Sequence, residues 1–382
     1  MRSKNHIPFY DLSYQTSTIK DSFYNKLSDI IDCNGFIKGK YVHKFENQFS
    51  QYLSVNNVIS VNSGTDALFL SGLALGLNEN DIVFIQTNTY FATVESIARL
   101  NCQIKLCEID LESGQIDLLY LEERLIEIRS KNKAQRIVVV VVHLFGNCPD
   151  MDKLINLSKN YCFDIIEDAA QAHGSSYAGK KLGSFGLLSS FSFYPAKNLG
   201  AIGDGGAVVT DSRDLSTKVR SLADHGQVKK DLHDSIGINS RLDSIQALVL
   251  SLKIKYLDEW NQERRNLAKI YGESLQGCEQ VKPLQIHEKC IPNYHLLVIR
   301  VSNREELIKF LEKESVQIRV HYPIPIIKQK GFLKYQKEQA NFIETEKFCS
   351  QILSLPMYPG LTENDVIKVS SLIQKFYQKF KR

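Results

Sequence analysis

Lysine is the side chain that condenses with an aldehyde, and one lysine of this sequence sits in an unusual setting. In Ser189-Ser-Phe-Ser192-Phe-Tyr-Pro-Ala-Lys197-Asn-Leu-Gly200-Ala-Ile-Gly203-Asp-Gly-Gly206 it is flanked by aromatics and Pro195 and followed by a glycine-rich run. Partial removal from water makes such an amine a better nucleophile, and glycines let backbone come close to a bound ligand. Upstream, Ile165-Ile-Glu-Asp168-Ala-Ala-Gln171-Ala-His173-Gly174 ends a short apolar run on an aspartate. At the C-terminal end of a parallel strand, that carboxylate can hold a protonated pyridine nitrogen. Earlier still, Asn62-Ser63-Gly64-Thr65-Asp66 supplies two hydroxyls and a bare backbone where an apolar helix begins. Free N–H groups and the positive dipole end suit a phosphate there, and Ser192 can reach the same group. Taken singly, these segments also read as a helix cap, a polar loop and a hairpin turn, and His173 as a structural histidine. Together and in this order they are the parts of a pyridoxal phosphate site.

Such parts need a rigid frame. Strand-length apolar runs at Asp81–Ile85, Ile104–Ile109, Ile137–Val142 and Asp164–Ile166 alternate with helical patterns at Ala92–Leu100, Tyr120–Ile128 and Met151–Asn160. That alternation predicts βαβ units around a parallel sheet. The run Ile137-Val-Val-Val-Val-Val142 has no polar alternation, as expected of a strand covered on both faces. Ser244–Arg265 reads as one long helix between domains. Beyond it, Tyr294–Val301, Leu307–Glu314, Gln317–Val320 and a Lys368–Phe380 helix predict a smaller α+β unit. The expected division is residues 1–250 for a large cofactor-binding domain with the N-terminal segment, and 251–382 for a small C-terminal domain.

With these blocks the chain resembles the DegT-type sugar aminotransferases, of aspartate aminotransferase-like fold type I. The resemblance runs nearly full length. It is carried by Ile7-Pro-Phe-Tyr-Asp-Leu12, Phe36-Ile-Lys-Gly39, the three segments above, Gly237-Ile-Asn239-Ser-Arg241-Leu-Asp243 and His321-Tyr-Pro-Ile-Pro325. It implies an α/β fold with a mainly parallel central sheet in the large domain. Lys197 is then the internal aldimine lysine and proton shuttle, Asp168 the partner of the pyridine nitrogen, and Gln171 that of the phenolic oxygen. Ser63, Gly64, Thr65 and Ser192 hold the phosphate, joined by Asn239 of the neighbouring subunit in a homodimer. Tyr90 matches the aromatic that stacks on the cofactor ring. The family's dehydratase-like members carry His where Lys197 stands, so transamination is implied. Leu144-Phe145-Gly146-Asn147 departs from the family's usual Tyr-Gly-Gln.

The His321–Pro325 block resembles that of enzymes aminating the third ring carbon of nucleotide-linked 3-keto-6-deoxy sugars. The expected reaction is therefore conversion of a dTDP-3-keto-6-deoxyhexose to its 3-amino sugar, with L-glutamate as donor and His321, Tyr322 and Lys328 as substrate contacts. The alternatives are amination at the fourth carbon, or a cofactor-binding regulatory paralogue without turnover. Arg241 and Asp243 are expected to brace their own subunit. Composition agrees: 47 basic against 43 acidic residues leave a net charge of only +4, with no concentrated basic face for nucleic acid. No apolar run approaches the ~20 residues of a membrane span. Eight cysteines without a Cys-x-x-Cys predict reduced thiols, no metal site and a cytoplasmic protein.

Overall fold

The computed structural model describes residues 6–335 and 341–379. Seven strands form the central sheet: β1 (Asn57–Val61), β2 (Ile82–Gln86), β3 (Gln103–Cys107), β4 (Ile137–Val142), β5 (Asp164–Asp168), β6 (Leu188–Ser192) and β7 (Gly206–Thr210). Their order is β1-β7-β6-β5-β4-β2-β3. β2, β3, β4, β5 and β6 pair in parallel, while β7 runs antiparallel to β1 and β6. The valine run explains itself here. Val139 and Val141 enter one apolar cluster, Val138 and Val140 the cluster on the other face. A strand so placed has no side chain left for water.

This topology gathers chemistry at one edge. β5 ends on Asp168, β6 on Ser192 and β1 just before Ser63, while the antiparallel β7 begins there with Gly206. The C-terminal edge of an open parallel sheet is where ligands bind. Helix Gly64–Leu75 starts at the same edge, capped by the Ser63 side chain, which accepts from Asp66 N–H at 3.1 Å. Helix Phe91–Ala98 also starts there, with Tyr90 at its N-cap.

The C-terminal part builds on a three-stranded antiparallel sheet, Val281–Pro283, Leu297–Val301 and Ile352–Leu355. Helices Arg304–Lys313 and Glu363–Lys379 pack on it. Phe380, the expected end of the last helix, lies outside the described residues.

Three expectations change. Ser244–Arg265 is not one helix: Ser244–Lys253 and Leu257–Ser274 are separated by a 3-10 turn at Ile254–Tyr256. Packing passes from one core to the other beyond this turn: Leu248–Leu252, Ile254 and Leu257 lie in the large cluster, Leu267 and Tyr271 in the small one. Residues Gln317–Val320 form no strand; only single bridges occur, Ile7 to Val316 and Arg319 to Ser354. The N-terminal segment, expected with the large domain, lends Ile7 to the C-terminal cluster through hydrogen bonds with Ser315 and Gln317. Among the described residues no helix is long and apolar enough to cross a membrane, no cluster could hold a metal ion, and all eight cysteines are free.

Candidate active site

A cavity of about 630 Å³ opens at the sheet edge. Ser63, Gly64, Thr65, Tyr90, Asp168, Gln171, Ser192, Lys197, His321 and Tyr322 all line it. Near the helix start, two glycines lie close against their neighbours. A Cβ on Gly64 would lie 2.6 Å from the Cβ of Ser192, and one on Gly206 would strike the Ser63 carbonyl. The helix start and the sheet therefore meet with no room for a side chain at either glycine. The helix cap falls on the segment expected to hold phosphate: Ser63 accepts from Asp66 N–H and keeps its own hydroxyl proton to donate.

Lys197 rides on a tight turn whose geometry is over-determined. Lys197 N–H donates to Tyr194 O at 2.8 Å and Ala201 N–H to Phe193 O at 2.8 Å. A side chain at Gly200 would collide with Pro195, and the buried Lys253 ammonium grips the Gly200 carbonyl at 2.7 Å. Asn198 is clamped by Asn261 (2.7 Å), the Asn293 carbonyl (3.1 Å) and His295 (3.0 Å). Burial, opposed by the charge of Asp168, lowers the Lys197 pKa from 10.5 to about 8.

Asp168 is buried at the end of β5. Thr93 donates to its Oδ2 at 2.7 Å and Ala170 N–H to its Oδ1 at 3.2 Å. Burial raises its pKa, while Thr93, Ala170 N–H, Lys197 and His143 work the other way. Beneath it, Glu167 accepts from Gly183, Phe185 and Gly186 N–H and from Ser189, and meets His143 at 2.7 Å. Its burial opposes ionisation, yet His143 and the backbone donors hold its pKa below the usual range. Gln171 accepts from Phe145 N–H at 2.6 Å and donates to Tyr322 at 3.3 Å. The loop that departs from the family pattern thus sets the Gln171 amide through main chain alone.

This geometry matches one known family. The model of the DegT/DnrJ/EryC1/StrS aminotransferase family covers residues 17–374. The chain belongs to that family. It is 36% identical to the dTDP-3-amino-3,6-dideoxy-alpha-D-galactopyranose transaminase of Aneurinibacillus thermoaerophilus, over 97% of this chain and 99% of the relative. It is 35% identical to a pleiotropic regulatory protein of Geobacillus stearothermophilus, over 98% of this chain and 100% of that one. Among solved structures, Streptomyces venezuelae DesV in complex with a ketimine intermediate superposes with a TM-score of 0.92 at 31% identity, covering 98% of this chain and 99% of its own.

Members of the family use pyridoxal 5'-phosphate, and the residues present fit it. Lys197 opens on the cavity as a desolvated amine with no bonded carboxylate, Asp168 offers a buried acid for a ring nitrogen, and the Ser63–Thr65 helix start suits phosphate. Tyr90, 59% exposed, stands at the mouth with its ring centroid 5.5 Å from that of Tyr322. His321 stacks on Phe9 and bonds Ser354 at 2.9 Å. Burial, then the nearby Lys197 and Arg319, lowers the His321 pKa to about 4, so it is neutral at pH 7.

Two expected site residues do not line this subunit's cavity, which for Asn239 is the position expected of a residue serving the neighbouring subunit. Lys328 is outside the cavity and pairs with Glu346 at 2.7 Å on the surface. A satisfied exposed ion pair of this kind contributes little. Asn239 is exposed, off the cavity, bridging only to Asp224. Arg241 braces its own subunit, with Asp224 at 3.2 Å rather than Asp243. Sequence reasoning missed Arg264, which lines the cavity while its Nη1 donates to the carbonyls of Tyr294, His295 and Met357. It missed Thr93, Glu167 and the Asn198 clamp as well. Glu167 alone left a signal: a charge inside a strand buried on both faces needs donors on every side.

Proposed function

We propose that this chain moves an amino group from L-glutamate to the ketone of a nucleotide-linked 6-deoxyhexose, at the third ring carbon and with dTDP as the nucleotide. The observation that carries the reading is one cavity lined by Lys197, the buried Asp168, the Ser63–Thr65 helix start, Arg264 and Arg319. Bound there, pyridoxal phosphate supplies the carbonyl that captures amines and the ring that draws off electrons. The chain's residues do the rest. Asp168 keeps a proton on the ring nitrogen, and Gln171 meets the phenolic oxygen. Ser63, Gly64, Thr65 and Ser192 hold the phosphate, and Tyr90 covers the ring. With a pKa of about 8, Lys197 both holds and releases a proton near neutrality, as a base and then an acid at the substrate carbon. The guanidinium groups suit the anionic donor and the diphosphate, while His321 and Tyr322 meet the sugar.

The working unit is a homodimer. Asn239, exposed in its own subunit, completes the partner's phosphate site, and Ile236 nearby is 94% exposed, a large apolar side chain left for a second copy to cover. The free thiols suit the cytoplasm.

The test is incubation with 3-keto and 4-keto dTDP-6-deoxyhexoses plus L-glutamate, with products read by mass and NMR. A 3-amino product supports the proposal, and a 4-amino product refutes the ring position. Cofactor-loaded protein whose colour L-glutamate leaves unchanged refutes turnover and favours a regulatory role, in line with the regulatory relative.

A further inference from the structure

Asp168 is served by a one-way chain of hydroxyls. Thr93 donates to Asp168 Oδ2 at 2.7 Å, and a hydroxyl has one proton to give. The 2.9 Å contact between Thr89 and Thr93 must then be a donation from Thr89. The order is Thr89 to Thr93 to Asp168, each bond polarising the next. Thr89, Thr93 and Asp168 are 4%, 1% and 5% exposed, so bulk water offers no replacement donor. Thr93 N–H also bonds Tyr90 O at 3.1 Å, which fixes the hydroxyl in the first turn of helix Phe91–Ala98. The positive end of that helix favours a carboxylate nearby. The other groups facing Asp168 are Lys197 and His143, which favour its charge, and the Tyr322 hydroxyl; Glu167 beside it is an anion bonded by its own donors.

We propose that Thr93 is a positioning residue that, backed by Thr89, holds Asp168 ionised and so sets how firmly the cofactor's ring nitrogen keeps its proton. The proposal rests on the reading of Lys197 and Asp168 as the pyridoxal phosphate site. A merely structural threonine would influence folding but not the cofactor's titration. Without the Thr93 hydroxyl, Oδ2 keeps no protein donor, Asp168 becomes a weaker acid, and the ring nitrogen loses charge. The link between Lys197 and the cofactor then holds its proton to higher pH.

The experiment titrates the visible absorbance of the pyridoxal phosphate-loaded enzyme against pH and measures cofactor affinity by equilibrium dialysis. It compares the parent with Thr93→Val, Thr93→Ser and Thr89→Val, with circular dichroism and melting as folding controls. Thr93→Val should move the titration midpoint up by about one unit, the worth of one hydrogen bond to a charged group, and weaken cofactor binding. Thr93→Ser should titrate with the parent, and Thr89→Val should shift less in the same direction. Parental titration of Thr93→Val overturns the proposal; should that variant fail to fold, an unshifted Thr89→Val overturns it. A parent protein that takes up no pyridoxal phosphate overturns the underlying reading instead.

Discussion

Removing the charge of Lys197 should stabilise the cofactor-free protein while destroying its chemistry. Its pKa falls from 10.5 to about 8 because burial strips the ammonium of water faster than Asp168 repays it. Each pKa unit is about 1.4 kcal/mol, so the charged lysine costs the fold roughly 3 kcal/mol at neutral pH. Water in the cavity trims this to about 2 kcal/mol, because Lys197 is not sealed. The sign follows from proton counting: between pH 8 and 10.5 the unfolded chain binds the extra proton, so the parent gains stability as pH rises through that window. Lys197→Met keeps the stem and removes the penalty. Urea unfolding of the cofactor-free proteins, at equal concentration and followed by circular dichroism, should show the variant ahead by about 2 kcal/mol at pH 7 and the gap closing towards pH 10.5. A variant no more stable at pH 7, or a gap that does not change with pH, would refute the argument that this lysine is held under desolvation strain.

The remaining expectations concern the frame around it. Glu167→Gln leaves several donors without their anion and should lower stability by about 3 kcal/mol or more, read as a fall in melting temperature; an unchanged melt would show the network to be ornamental. Gly64→Ala forces Ser192 away from the helix start and should weaken pyridoxal phosphate binding by about tenfold or more, with circular dichroism unchanged. Mixing Lys197→Ala subunits with Asn239→Ala subunits should restore activity, because a mixed dimer contains one site with both residues intact; no recovery would place Asn239 outside the partner's site.

Some of this architecture was legible in one dimension because the physics is local. The Ile137–Val142 strand has the bounds read from its β-branched run, since no other element satisfies six such residues with both faces covered. The lysine, aspartate and helix-start segments stand out because glycine, proline and hydroxyl side chains are costly choices unless backbone geometry demands them. What stayed hidden depends on distant partners. Thr93 and Asp168 are 75 residues apart, and Asn198 and Asn293 are 95 apart. Such residues look like any solvated polar residue until the fold brings them together. The break at Ile254–Tyr256 was hidden because helical periodicity continues across it.

Gly206 lies against the Ser63 carbonyl and Gly64 against Ser192, so neither position leaves room for a Cβ. A side chain at either glycine would displace its neighbour. On the proposed reading, a new sugar would be accommodated by changes at Arg319, His321 and Tyr322, which line the same cavity. Laboratory retargeting should begin at those three residues and leave the glycines alone.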